Sequence, residues 1–439
     1  MDARRAMRSG EWDEGSLESL INTREGWIDP KIYTDETLYE LELERIFSKS
    51  WLLLCHESHI KNPGDYLTTY MGNDSVVVAR QKDGSIRAFL NQCSHRGMRL
   101  VRADQGQAWG FTCPYHGWAY DVSGRLVNIP HEGLYPVDVD KSQLSPLHAR
   151  VATYKGLVFG TWDDAAPELH EYLGDARFYM DHMLDRSEAG TEAIGGIEKW
   201  IIKCNWKFAA EQFASDMYHV PFSHTSGILS GLPPHLDLSD VSIPREGYQF
   251  SSLAGGHGCG SYIAPGSANV IAGIMGPMVA EYYTQGRAAE AAAARLGQER
   301  ASAINQHTTI FPNCSFLTGV NTVRAWHPKG PNEMEVWAFT VVDADAPEEV
   351  KEEFRRQSIR TFSAGGVFEQ DDGENWVEIQ RVLQGYKARQ QRFLTKMGMG
   401  EINEDHPLYP GRISGVYSEE AARGFYGHWL RLMTDNSQS

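Results

Sequence analysis

The chain has 439 residues, 41% hydrophobic and 23% charged, with 41 Lys and Arg against 58 Asp and Glu for a net charge of -17. That length suits two domains, and twelve Trp, nineteen Tyr and seventeen Phe are the aromatic supply of an ordered globular protein. The acidic balance argues against nucleic acid and anionic membranes as partners. With no apolar leader in Met1–Gly15 and no apolar run long enough to span a bilayer, the expected location is cytoplasmic.

Residues 1–38 read as a polar, helical arm broken at Asp29-Pro30. An amphipathic stretch follows from Glu36 to Phe47, with apolar positions at Leu38, Leu41, Ile46 and Phe47. From Trp51 the pattern turns to β structure: Ser75–Arg80 and Ile86–Leu90 flank the turn pair Asp83-Gly84, and Trp118–Tyr120 and Leu126-Val127 flank Ser123-Gly124. Residues 39–157 are therefore expected to form a small antiparallel β domain. Residues 158–439 mix the two periods, with a helix near Ala288–Leu296, strands at Thr322–Trp326 and Glu335–Val342, and a helix from about Asn375 carrying Trp376, Ile379 and Leu383 on one face. The fold class is α+β, a small antiparallel β domain beside a larger domain of helices and antiparallel sheet.

Six cysteines are too few for a disulfide scaffold. Cys55, Cys204, Cys259 and Cys314 stand singly and read as small buried apolar residues. The other two sit in Cys93-Ser94-His95-Arg96-Gly97 and Cys113-Pro114-Tyr115-His116-Gly117-Trp118, one Cys-His pair on each of two loops. A Rieske [2Fe-2S] centre holds one iron by two thiolates and the other by two imidazoles, and one pair per loop satisfies that split. The bland alternative is a structural zinc ion in a binding protein without redox chemistry. Zinc sites of this composition usually pair Cys with Cys and His with His, so the mixed spacing favours the cluster.

A second constellation lies in Asn205–His224, read as helical up to His219. Asp216 and His219, three apart, then share a face. His219 and His224 lie about 140° apart around an ideal helix and converge only if it is distorted, a task given to Pro221. Two imidazoles need a carboxylate to complete the facial triad of a non-haem Fe(II) site. Its source is sought in Glu369-Gln370-Asp371-Asp372, where acids at a helix start are also explained by the helix dipole. An electron-delivering cluster in the same chain needs a destination, and such an iron, activating dioxygen, is chemically apt.

These motifs resemble the α subunits of Rieske ring-hydroxylating dioxygenases, over about Leu41 to Trp429. The resemblance implies that Cys93, His95, Cys113 and His116 bind the cluster and that His219 and His224 bind iron. It implies Asp372 as the third iron ligand, with Asp371 as runner-up, and Asp216 as a bridge from the iron-ligating histidine to a cluster histidine of a neighbouring subunit. It also implies an α3β3 assembly with a small β subunit, and electrons from NADH passed through a ferredoxin reductase and a ferredoxin. The reaction implied is cis-dihydroxylation of an aromatic hydrocarbon of biphenyl, benzene or polycyclic type. A carboxylated, phthalate-like arene, angular attack and monooxygenation stay open.

Positions matching the family's substrate pocket are Gln212, Phe213, Met217, Val220, His307, Leu317, Val320, Phe362 and Phe368, an apolar set suited to a hydrocarbon. Ser50–Leu54, Val341–Pro347 and Ala364–Glu369 resemble the biphenyl/toluene branch, whereas the four-residue gap between His219 and His224 is naphthalene-like. Arg96, Arg99 and Arg102 could dock a ferredoxin on an otherwise acidic protein.

Overall fold

The computed structural model describes residues 12–137, 139–231, 246–263 and 267–435. The first eleven residues of the N-terminal arm, which include most of Met1–Gly15, lie outside that range. The chain forms two compact units, 47–169 and a larger one comprising 1–46 and 170–439. The smaller unit begins and ends later than the hairpin pattern suggests: the helix before Phe47 groups with the larger unit, and the strand starting at Leu157 runs on to Thr161.

The smaller unit is built on a seven-stranded antiparallel sheet. Its strands are β1 (Leu52–His56), β2 (Asp65–Met71), β3 (Asp74–Arg80), β4 (Ile86–Leu90), β5 (Gln105–Gln107), β9 (His148–Tyr154) and β10 (Leu157–Thr161), in the order β1-β10-β9-β4-β3-β2-β5. A separate three-stranded sheet holds β6 (Gly110–Thr112), β7 (Ala119–Asp121) and β8 (Leu126–Asn128). Both expected hairpins form: β3 pairs with β4 across the Asp83-Gly84 turn, and β7 with β8. Val77, Phe89, Phe111, Trp118, Tyr120 and Leu126 pack between the two sheets, and the buried Cys93 and Cys113 sit in the same cluster. The second sheet is thus glued to the first beneath its loops.

The larger unit carries an eight-stranded antiparallel sheet. Its strands are β11 (Thr191–Ile202), β12 (Gly247–Ser251), β13 (Gly258–Tyr262), β14 (Gln306–Ile310), β15 (Cys314–Thr318), β16 (Thr322–Gly330), β17 (Glu333–Asp343) and β18 (Arg412–Gly415), ordered β11-β17-β16-β15-β14-β13-β12-β18. The middle strands are buried along their whole length, as a sheet covered on both faces requires. Helices α1 (Glu36–Glu42), α2 (Trp206–Ser215), α3 (Val220–Ser223), α4 (Gly286–Leu296), α5 (Glu348–Phe362), α6 (Val367–Leu383) and α7 (Glu420–Thr434) belong to this unit.

Three expectations shift here. The arm is less helical than its composition suggests: Asp13 caps a short helix at Glu14–Glu18, and Ile21-Asn22 and Trp27-Ile28 form a hairpin joined by Phe393-Leu394. Helix α6 starts at Val367, well before Asn375, and its buried face is Phe368, Glu369, Asp372, Trp376, Gln380 and Leu383, while Ile379 points to solvent. The early start brings two carboxylates onto the inner face, where apolar periodicity could not register them. Among the described residues, no helix is long and apolar enough to cross a membrane.

The central buttress is Glu42. Its fully buried carboxylate accepts from Trp206 Nε1 (2.9 Å) and Trp429 Nε1 (2.7 Å) and pairs with the equally buried Lys207. One carboxylate therefore ties α1, α2 and α7 together.

Candidate metal centres

In the smaller unit the two loops repeat one backbone plan. Cys93 N–H donates to Met98 O and Gly97 N–H to Cys93 O; Cys113 N–H donates to Trp118 O and Gly117 N–H to Cys113 O. Each turn closes on a glycine at positive φ, 73° at Gly97 and 74° at Gly117, which a side chain would strain. The matched turns point both cysteines inward and leave both histidines half-exposed. His95 Nδ1 and His116 Nδ1 face each other at 3.1 Å, and the His95 ring stacks on Trp118 at 4.9 Å. Tyr120 Oη lies 3.3 Å from Cys93 Sγ and accepts from Ser94 N–H.

Neither cysteine is in a disulfide. Burial raises the Cys93 thiol, a cost that a bound metal removes by holding the thiolate. Desolvation, His95 and Arg96 keep the His116 imidazole neutral. Two soft donors inside and two imidazole nitrogens outside fit a cluster with one iron of each kind.

In the larger unit α2 starts at Asn205, whose side chain caps Lys207 N–H, and runs almost wholly buried to Ser215. It ends sooner than expected. Asp216 has left the helix (φ -82°, ψ 87°), and its carboxylate accepts from the backbone N–H groups of Tyr218 (2.9 Å) and His219 (3.0 Å). The neighbourhood of Asp216 and His219 therefore comes from an Asx turn rather than a shared helix face. Pro221 is not the breaker either: it sits in the first turn of α3, where its missing N–H costs nothing, and the distortion lies at residues 216–218. His219 and His224 flank the single turn of α3.

That arrangement brings both Nε2 atoms to Asp372, whose Oδ1 lies 3.4 Å from His219 Nε2 and 3.3 Å from His224 Nε2. These three residues form the one group among the described residues whose donor atoms converge closely enough to hold a metal ion. The outer nitrogens also meet carboxylates. His219 Nδ1 is 3.4 Å from Asp216 Oδ2 and His224 Nδ1 is 3.1 Å from Asp371 Oδ2. Adjacent acids on α6, about 100° apart around the helix, thus divide the work: Asp372 faces inward and Asp371 orients His224 from outside.

The electrostatics suit a cation. Burial alone would lower the His219 imidazole, but Asp216 and Asp372 raise it to about 10. Burial would raise Asp372, yet the two imidazoles hold it well below the ordinary carboxylate range. Asp372 Oδ1 is buried without a hydrogen-bond donor. Two imidazole nitrogens converging on one buried carboxylate oxygen match the donor set of a two-histidine, one-carboxylate iron site, where a metal ion would take the place of the proton that the two acids hold on His219.

Of the expected pocket residues, five surround the triad. Gln212 Nε2 is 3.4 Å from His219 Nε2, with its Oε1 fixed by Trp376 Nε1–H at 2.8 Å. Phe213 stacks on His307 at 5.3 Å, and His307 lies 5.9 Å from the His219 ring. Phe368 meets His224 edge-on at 5.1 Å and Phe362 at 5.5 Å. Desolvation lowers His307 to about 3, so it stands as a neutral ring. Met217 and Val220 pack instead with Tyr262 and Val416, and Tyr262 Oη–H donates to Met217 O. Leu317 lies opposite His307 across the β14–β15 pair, and Val320 is buried in the turn that follows. Sequence reasoning missed the His224–Asp371 and Gln212–Trp376 contacts; the consecutive acids were the visible signal for the first.

Residues 169–435 match the family described as ring hydroxylating alpha subunit (catalytic domain), and residues 50–148 match the Rieske [2Fe-2S] domain. The chain belongs to the α subunits of Rieske ring-hydroxylating oxygenases. It is 62% identical to the benzene 1,2-dioxygenase subunit alpha of Pseudomonas putida, covering 96% of this chain and 94% of that one. To the biphenyl 2,3-dioxygenase subunit alpha of Rhodococcus jostii (strain RHA1) it is 62% identical, over 98% and 94% of the two chains. A naphthalene 1,2-dioxygenase structure with indole in the active site superimposes with TM-score 0.88 at 36% identity, covering 95% and 94%.

This is therefore the catalytic subunit of an aromatic-ring-hydroxylating terminal oxygenase, with a Rieske cluster, a mononuclear iron and dioxygen as co-substrate, and with NADH as the indirect electron source. It works in an oligomer with other components. The zinc alternative falls with the family match. The naphthalene-like histidine gap does not set the branch, because identity to the benzene and biphenyl enzymes is far higher than the 39% to a naphthalene enzyme component.

Proposed function

We propose that the chain catalyses cis-dihydroxylation of a benzene- or biphenyl-type hydrocarbon, with iron held by His219, His224 and Asp372 and the cluster by Cys93, His95, Cys113 and His116. When bound, the iron supplies a centre at which dioxygen is reduced by electrons from the cluster. Asp371 holds the outer nitrogen of His224 and Asp216 lies against that of His219, so a carboxylate supports the orientation of each imidazole. Phe213, Phe362 and Phe368 would seat the arene and exclude water, and Gln212 supplies a fixed amide beside His219. His307, Leu317 and Val320 complete the proposed pocket, with Met217 and Val220 in the Tyr262–Val416 cluster beside it.

The observation that carries this reading is the convergence of the three donors beside aromatic walls. A carboxylated arene would need an unmatched cation, and the buried guanidinium against Phe213 and Phe362 is that of Arg324, already neutralised by Glu369. The proposed partners are a small β subunit in an α3β3 assembly and a ferredoxin with its reductase, docking at the exposed Arg96, Arg99 and Arg102. Asp216 would link His219 to His116 of a neighbouring subunit, and the location would be cytoplasmic.

The test is turnover of benzene and biphenyl with ¹⁸O₂ by the α and β subunits together with the electron donors. Both labelled atoms in a cis-dihydrodiol support the proposal. One labelled atom would establish monooxygenation instead, and turnover confined to phthalate-like acids would reverse the substrate reading.

A further inference from the structure

His219 and His224 lie on one short segment, but Asp372 arrives on α6, so the rotation and depth of that helix decide whether the three donors meet. Packing alone sets a helix loosely, whereas a displacement of about 1 Å at a reacting centre can cost on the order of a hundredfold in rate. Arg324 on β16 is placed to fix it. The side chain is fully buried. Its Nη1 donates to Glu369 Oε2 and its Nη2 to Phe362 O at 2.9 Å.

One planar guanidinium therefore grips the last residue of α5 and the first turn of α6. Glu369 precedes Asp372 by three positions, so both carboxylates lie on the same inner face. The junction between the helices is already tight, for a Cβ on Gly366 would stand 2.4 Å from the backbone of Thr361. The same guanidinium lies 5.1 Å from the Phe213 ring and 5.5 Å from Phe362, two proposed pocket walls.

We propose that Arg324 and Glu369 are a positioning pair that sets Asp372 against the two histidines and holds the aromatic wall of the pocket. The inference rests on the reading of Asp372 as an iron ligand. A purely structural role makes a different forecast, because a buried ion pair replaced on both sides by apolar side chains usually leaves a fold intact.

The experiment compares R324M/E369M, R324K and D372A in the assembled oxygenase, measuring Fe(II) affinity of the mononuclear site against a chelator, product formed per dioxygen consumed, and the cluster absorption as a control. The double variant is expected to keep the cluster spectrum, to bind Fe(II) about tenfold more weakly, and to form less product per dioxygen. R324K keeps the charge but loses the two-pronged geometry, and is expected to fall between it and the unaltered enzyme. Unaltered Fe(II) affinity and coupling in the double variant would overturn the inference; if that variant does not assemble, the same result in R324K would do so. Iron retained by D372A would instead remove the ligand reading on which the pair depends.

Discussion

The proposed cluster site would take all four donors from residues 93–116, on two turns that share one backbone hydrogen-bond plan. The proposed iron site would take two donors from residues 219–224 and its third from a helix that begins at Val367. In the first site the turns and two glycines suffice to aim the side chains. In the second, aim depends on a helix break, an Asx turn, and the packing of α2 and α6 against the sheet. A locally encoded site should be insensitive to remote changes, and a tertiary one should not.

Asp372→Ala should break this comparison hardest: iron at the mononuclear site and product formation are both expected to vanish while the cluster spectrum stays, as checked by iron analysis and low-temperature electron paramagnetic resonance. Cys113→Ser should give the converse, a lost Rieske signal with the second iron retained. Glu42→Gln tests reach. It leaves Lys207 charged and buried, and is expected to cost the larger unit about 3–5 kcal/mol, read from urea unfolding of the assembled enzyme while cluster absorption persists to higher denaturant.

Asp371→Asn should act more gently, weakening Fe(II) binding about tenfold through His224, as measured by chelator competition. A pH effect tests the larger unit away from both sites. Burial lowers His257 from 6.5 to about 4, with Nε2–H donating to Tyr172 O at 2.8 Å and Nδ1 accepting from Phe311 N–H at 3.0 Å. Below pH 6.5 the unfolded chain binds a proton that the folded chain refuses. Stability should therefore fall with pH between 6.5 and about 4, by up to about 1.4 kcal/mol per unit. His257→Gln should make that slope shallower in denaturation curves taken across the window, leaving the share of the other buried histidines.

What was legible in the sequence follows the same division. The proposed cluster ligands Cys93, His95, Cys113 and His116 stand out by spacing because their loops are local, and the two hairpins are legible for the same reason, their turns written in Asp83-Gly84 and Ser123-Gly124. His219 and His224 were visible as a pair, but the cause of their convergence was misplaced: a proline is conspicuous, whereas an aspartate that turns the chain with its own side chain looks like any other acid. The early start of α6 was hidden because its inner face carries Glu369 and Asp372 among the apolar residues. The Arg324–Glu369 pair spans sheet and helix, and no local pattern announces such a contact.

The single turn of α3 has a consequence for how the family can vary. Both of its ends leave helical geometry, at the Asx turn before His219 and at His224 itself (φ -97°, ψ 6°). A residue gained or lost between the histidines would therefore fall outside the long helices α2 and α6, in the one segment where the backbone already departs from helix geometry on both sides.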